Sequence, residues 1–146
     1  MNVGHVLESK GAEATRVRPD DKIQTAARLL GSRKTGLAVV IDAGGRLLGV
    51  ISAMDIMRAV GEHGGDTAAM PVSAVMTSEV AVCRPQDSVQ QALEQMVLRR
   101  IRHLPVVEDG IVKGVIRLRD AVEFRVGEVE VETDELRRYI YGAGFH

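Results

Sequence analysis

The chain has 146 residues, 45% of them hydrophobic and 27% charged, with 19 basic against 20 acidic side chains and a formal net charge of −1. That size suits one ordinary domain with a real core. The even charge balance argues against the broad basic footprint of a nucleic-acid binder, as does the presence of only two tyrosines and two phenylalanines for stacking on bases.

The longest apolar runs are strand-length, and Met1-Asn2-Val3-Gly4-His5 lacks a basic region followed by an apolar core. We therefore expect neither a spanning helix nor a secretion signal, and a cytoplasmic protein. Cys83 is the single cysteine, which excludes an internal disulfide and a thiolate cluster. In an apolar stretch it reads as core rather than nucleophile.

In chain order, a short helical entry from Val3 gives way to a loop over Glu8-Ser9-Lys10-Gly11. Arg16 to Asp21 reads as a short strand broken by Pro19. Asp21 then caps a helix, with Gln24 closing a capping-box-like arrangement and Ile23, Ala26, Ala27 and Leu30 on one face. Gly31 to Gly36 is a turn. Leu37–Ile41 and Leu47–Ile51 are strands joined by a hairpin at Asp42-Ala43-Gly44-Gly45. A second helix runs from Ala53 to about Val60, and the glycine-rich stretch from Gly61 to Thr67 reads as a linker.

The order then recurs. Pro19 and Asp21 return as Pro85 and Asp87, a shift of 66 positions, and the apolar helix face returns as Val89, Ala92, Leu93 and Met96. Ala38–Ile41 is answered by Leu104–Val107, and the hairpin Glu108-Asp109-Gly110 is one residue shorter. Gly49 and Asp55 accordingly return as Gly114 and Asp120, a shift of 65. Matching caps, faces and turns over some fifty residues indicate duplication. Each half holds too few elements to bury its own sheet, so the expected solution is a pseudo-symmetric pair with clefts between the halves.

The chemistry-bearing stretch is the strand-to-helix turn of each half, Gly49-Val50-Ile51-Ser52-Ala53-Met54-Asp55 and Gly114-Val115-Ile116-Arg117-Leu118-Arg119-Asp120. Free N–H groups and the helix dipole favour an anion there. Ser52 and Asp55 equally fit a plain capping box, and spacing leaves the two readings open.

After Asp120, the residues Val122, Val126, Val129, Thr133, Leu136 and Ile140 are spaced as a heptad seam on a long final helix to Tyr141. Gly127 and Val129-Glu130-Val131 are places where it could break. The seam either packs back on its own body or pairs with a second subunit.

His5, His63 and His146 are scattered and give no metal-ligand spacing. Nothing in the pattern supplies a nucleophile with its base, a P-loop or a dinucleotide fingerprint. We expect no catalysis, no metal and no required cofactor.

The whole pattern resembles the cystathionine-β-synthase (CBS) domain pair. The residues that carry the resemblance are Val75-Met76-Thr77, Arg84-Pro85-Gln86-Asp87-Ser88-Val89, Arg102-His103-Leu104-Pro105-Val106-Val107-Glu108-Asp109-Gly110 and the two Gly-apolar-apolar-x-x-x-Asp turns, over roughly residues 3 to 126. The resemblance implies an α+β fold: tandem β-α-β-β-α repeats packed as a pseudo-twofold pair, plus a C-terminal helix. We divide the chain into a first repeat (1–62), a linker (63–72), a second repeat (73–126) and a helical extension (127–146).

The resemblance also implies clefts for an adenosyl ligand, AMP, ADP, ATP or S-adenosylmethionine, in a regulatory module that often forms a homodimeric disc and acts on an unidentified protein target. By that resemblance Ser52 meets phosphate, and Asp55 and Asp120 accept from ribose hydroxyls, as a hydroxyl and a carboxylate can. Arg117 stands at the hydroxyl position of the second half, where it either binds phosphate or fills the cleft. The adenine slot falls on Thr15, Gly36 and Ala38 in one half and on Ala81, His103 and Pro105 in the other, with Arg102 and His103 in reach of phosphate. His103 equally reads as a hydrogen-bonded scaffold histidine. The alternative function is a dimerisation or adapter module whose nucleotide sites are degenerate.

Overall fold

The computed structural model describes residues 1–10 and 13–142, with side chains through residue 140. The Gly11 end of the expected loop, and His146, lie outside the described residues. The elements are α1 (Val3–Lys10), β1 (Arg16–Val17), α2 (Ile23–Arg33), β2 (Leu37–Ile41), β3 (Leu47–Ser52), α3 (Ala53–His63), two 3₁₀ turns (Gly64–Ala69 and Val72–Ala74), α4 (Val89–Arg99), β4 (His103–Glu108), β5 (Ile111–Arg117) and α5 (Leu118–Gly142). The fold is α+β, with one sheet of order β1-β2-β3 and another of β4-β5.

The duplication is visible in backbone register. Val17 pairs in parallel with Val40, and 66 positions on Cys83 pairs in parallel with Val106. Each hairpin carries its irregularity at the equivalent place, between Val40 and Ile41 and between Val106 and Val107. Lys34 (φ 52°) and Arg100 (φ 56°) end α2 and α4 in the same left-handed conformation. Such a conformation is uncommon for a residue with a Cβ, so its recurrence 66 positions apart reflects an inherited cap.

Several boundaries differ from the sequence reading. Helix α1 continues through Glu8-Ser9-Lys10, where a loop was expected. Asp21 and Asp87 do not cap the helices; their carboxylates accept instead from the N–H groups of Arg18 and Arg84, both at 2.8 Å, closing the preceding turns. The caps fall one residue later. Ser88 forms a full capping box with Gln91, and Lys22 caps α2 with no side-chain bond. Ala27 faces outward rather than into the core. Gly31 and Gly61 lie inside helices that run on to Arg33 and His63, so neither is the expected stop. Helix α5 runs unbroken through Gly127.

The core has three clusters, and two of them cross the expected boundaries. Val3, Val6 and Leu7 of α1 are buried with Val89, Met96, Leu104 and Ile116 of the second repeat. Reciprocally, Val72, with Met70, Val75 and Met76 packed beside it, belongs to the first-repeat cluster of Val17, Ile23, Leu30 and Ile51. The backbone repeats this exchange: Val3 N–H donates to the Asp87 carbonyl (2.8 Å), and Val72 N–H to the Asp21 carbonyl (2.7 Å). Within the stretch expected as a linker Thr67 is buried, its hydroxyl 2.8 Å from the Gly64 carbonyl and 3.1 Å from that of Ala59.

The third cluster, Ala14, Val39 and Val112 with Ile41, Leu47, Val50, Val107 and Val115 against it, joins the two sheets. Its backbone seam is a reciprocal pair of hydrogen bonds, Leu47 N–H to Gly110 C=O and Val112 N–H to Gly45 C=O, both 3.0 Å.

Gly49 sits where β3 meets the Met76-Thr77 strap. A Cβ there would lie 2.6 Å from the Thr77 carbonyl oxygen, itself held by Val50 N–H at 2.9 Å. Gly49→Ala should therefore destabilise by about 1–3 kcal/mol through overpacking, whereas Gly61→Ala, with open space around it, should stabilise α3 by about 0.5–1 kcal/mol. Urea denaturation of the two variants beside the parent checks both signs. Burial, with Asp87 adding repulsion, pushes the Cys83 thiol up to about 12. Cys83 should resist a disulfide exchange reagent at pH 8 until denaturant is added, the thiolate being the reactive form.

Candidate functional site

Two cavities open where the halves meet, of about 440 Å³ at the Ser52–Asp55 turn and about 470 Å³ at the Arg117–Asp120 turn. Each turn faces residues contributed by the opposite repeat. Asp55 and Ser52 look toward Glu79, Val80 and Ala81, with Arg99 and Ile101 beyond; Asp120 and Arg117 look toward Glu13, Ala14 and Thr15, with Arg33 and Thr35 beyond. The facing sets are 66 residues apart position by position and the turns 65, so the clefts are pseudo-symmetric copies. Leu37 of β2 and His103 of β4 line both.

The expected site residues distribute as follows. Ser52, Asp55, Gly36, Ala81, Arg102, His103 and Pro105 line the first cavity. Thr15, His103, Arg117 and Asp120 line the second. Ala38 lines neither; its side chain is fully buried in the first-repeat core. The slot residues of one half thus serve mostly the turn of the other, because the reciprocal straps cross between repeats.

At the first turn, β3 delivers Ser52 in extended conformation to the start of α3, and a complete capping box forms. Asp55 N–H donates to Ser52 Oγ (3.0 Å), and Ser52 N–H donates to Asp55 Oδ2 (2.9 Å). Thr77 Oγ1 lies 3.5 Å from both carboxylate oxygens, and Arg58 Nη1 is 3.3 Å from Oδ1. Asp55 is buried and held from three sides, which fixes its rotamer. The Ser52 hydroxyl accepts in this box and keeps its proton to donate.

Ala53 N–H already donates to the Gly36 carbonyl (2.9 Å), and Leu118 N–H to that of Arg102 (2.8 Å). The helix starts therefore offer fewer free amides to an anion than the sequence suggests. Positive charge comes instead from side chains: Arg99 and Arg102 at the first cavity, Lys10, Arg33 and Arg117 at the second.

The second turn has no hydroxyl cap. Arg117 Nε donates to Asp120 Oδ2 at 2.9 Å, and the ion pair stands on the wall of a cavity that stays open.

Several lining residues were not singled out from the sequence. Thr77 lay within a stretch already quoted, and Arg33 and Arg99 are an equivalent pair at the two helix ends, so the 66-residue shift was the available signal. Lys10 offered none, since it reaches the second cavity from the N-terminal strap. No cluster of metal-ligating side chains occurs among the described residues.

Burial holds His103 below the usual histidine value, and Arg117 and Arg102 add to the effect. The unfolded chain regains a value near about 6.5, so below that pH it binds a proton that the folded chain declines. Stability is therefore expected to fall as pH drops from about 6.5 toward the folded value. His103→Gln should flatten that part of the profile, which urea melts of parent and variant between about pH 7.5 and 5 will read.

Residues 12–62 and 72–127 each match the CBS domain family. The chain is 29% identical, over 96% of its length and 72% of the relative's, to the CBS domain-containing protein CBSX3, mitochondrial, of Arabidopsis thaliana. It is similar to the crystal structure of the CBS-domain containing protein ATU1752 from Agrobacterium tumefaciens, at a TM-score of 0.78 and 36% identity over 86% of this chain and 99% of that one. The fold also matches the CBS domain pair of protein MJ0100 in complex with 5′-methylthioadenosine and S-adenosyl-L-methionine, at a TM-score of 0.74 and 22% identity over 88% of this chain and 98% of that one.

Proposed function

The chain belongs to the CBS domain family, as a tandem pair, and from that premise we propose that it is a regulatory sensor binding an adenosyl ligand, AMP, ADP, ATP or S-adenosylmethionine, in one or both clefts. The observation that carries this reading is the placement of a buried carboxylate, Asp55 or Asp120, at a helix start inside a cavity walled by the opposite repeat and edged with cations. A carboxylate accepts from the vicinal hydroxyls of a ribose, the apolar and backbone walls suit an adenine face, and the arginines suit phosphate. The adenosyl ligands of MJ0100 support the same class.

Ligand contacts that differ between two arrangements of the halves would bias that equilibrium and pass occupancy on as a conformational or assembly change to a protein target in the cytoplasm. The assembly we propose is a homodimer of two pairs. Met54, Met57 and Val60 on α3 and Val97 and Leu98 on α4 are exposed apolar side chains that a second copy would cover. Among the described residues no helix is long and apolar enough to cross a membrane.

The Arg117–Asp120 and Arg58–Asp55 ion pairs favour a second reading, a dimerisation or adapter module whose nucleotide sites are degenerate, because the carboxylate of each cleft already has a partner. A melting screen separates the two. On the sensor reading a matching ligand at about 100 times its dissociation constant stabilises the protein by about 2.7 kcal/mol, and Asp55→Ala or Asp120→Ala removes the response of its own cleft. An unchanged melting temperature with every adenosyl ligand at millimolar concentration leaves the adapter.

A further inference from the structure

Helix α5 outlasts the body it starts on. From residue 129 to residue 140 every side chain is exposed, and Val122, Val126, Val129, Leu136 and Ile140 form an apolar stripe to solvent. Past its first turn the helix gives its own body the other sides: Ala121 is buried in the second-repeat core with Phe124 packed against it, and Phe124, Gly127, Glu128 and Val131 line a groove shared with Met1, Ser9 and Lys10. Only at the start, where Leu118 packs on the core and Val122 edges a groove beside Arg102 and His103, does the stripe's side meet the body. Beyond that start the stripe therefore does not pack back on its own chain. Nor does intrinsic propensity account for this helix, since Val126, Gly127, Val129, Val131 and Thr133 are poor helix formers in an exposed segment.

We propose that this face pairs with the same face of a second copy as a parallel, in-register, two-stranded coiled coil. In heptad terms Val126, Thr133 and Ile140 occupy a, and Val122, Val129 and Leu136 occupy d, over about 27 Å of helix. β-Branched residues at every a position and leucine at the last d position match the two-stranded pattern, while valine at the first two d positions leaves the strand number to the flanking charges. The flanking charges fix the same choice. Arg125 and Glu132 fall at g, and Glu130 and Arg137 at e. A parallel register sets each g residue against the e residue five places on in the other helix: Arg125 against Glu130 of a second copy, and Glu132 against Arg137 of a second copy. Both pairs are of opposite sign, and symmetry makes four. Arg125 now lies 3.4 Å from the half-buried Glu128 and 3.9 Å from the exposed Glu132 on its own helix, and would exchange the Glu132 contact for Glu130 of a second copy. So short a seam adds to an association of the bodies rather than replacing it, and it stands or falls separately from ligand binding in the clefts.

The test is oxidative cross-linking of the full chain carrying one new cysteine at Val129→Cys or at Leu136→Cys, with Arg138→Cys on the outer face as control and the parent, whose Cys83 is buried, as blank. The parallel seam predicts covalent dimer at both d positions at least tenfold faster than at 138. In the Leu136→Cys background, adding Arg137→Glu should slow the reaction, and adding Glu132→Arg as well should restore it. An antiparallel pair brings at most one of the two positions beside its own copy, so cross-linking at only one overturns the proposal. Rates no faster than at 138, or indifference to the charge reversals, overturn it too. A melting response to adenosyl ligands in the same cysteine variants reports on the clefts alone, so the two readings fail by different measurements.

Discussion

The structure depends on the reciprocal seam between the two hairpins. Leu47 and Gly110, and Val112 and Gly45, exchange backbone bonds of equal length across the pseudo-twofold, above a dry contact of Val39 with Val112. Neither half could leave those edges bare, because an unpaired buried amide costs about 1–3 kcal/mol and a two- or three-stranded sheet is too small to bury one face on its own. Once the seam is closed, the ends of β3 and β5 are carried to opposite sides of the pair. The clefts are the spaces left where each strand end passes the first strand region of the other repeat. The straps lock this arrangement, α1 on the second half and residues 70–76 on the first, so that each core is completed by a segment distant in sequence.

The duplication was legible because it is written in local chemistry: proline and aspartate before each helix, a spaced apolar face, a glycine in the return strand. These features survive as a shift of 66 or 65, and the strand registers repeat it. What the residues hid was anything decided by tertiary partners. Gly61 has no neighbour within 4 Å and lies in a helix that neighbouring packing sustains, so its weak propensity did not end the element. The caps slipped by one residue because Asp21 and Asp87 could satisfy either a helix start or the preceding turn, and the turn amides of Arg18 and Arg84 took them. The crossing of slot residues between clefts follows from the straps, which leave no periodic mark. The Ala38 side chain lines neither cavity for a related reason: in β2 the neighbouring Leu37 faces the cavities, and alternation turns the next side chain into the core.

The two clefts share a frame but not a chemistry. At the first, the acceptor is pinned by the reciprocal Ser52 cap and Thr77 as well as by the exposed Arg58, so a ligand would meet a carboxylate whose direction is already set and a serine proton free to donate. At the second, the same carboxylate is held by a flexible and mostly exposed arginine, and anything that binds Asp120 must share or displace Arg117. An anionic ligand would draw Arg117 onto itself and release Asp120 for hydroxyls in one movement. A neutral or cationic ligand would have to break the pair without replacing it. On the sensor reading, arginine in place of serine would let the second cleft select ligands by charge, a basis for unequal occupancy.

On the same reading, His103 and α5 would give that inequality a route outward. His103 lies on the wall common to both cavities, with Arg117 on one side and Arg102 on the other. Burial first, and these arginines after it, hold its imidazole below the usual histidine value, so a phosphate that drew either arginine away would alter a group that the other cleft also touches. Asp120 stands in the first turn of α5, two residues before the seam begins at Val122. A continuous helix transmits rotation along its axis with little loss, so the azimuth of the exposed stripe is set at the same turn that faces the cavity. Any preference of a ligand for one setting of that turn is by linkage a preference for one setting of the stripe, and pairing of the stripes would in return tighten or loosen the ligand by the same factor.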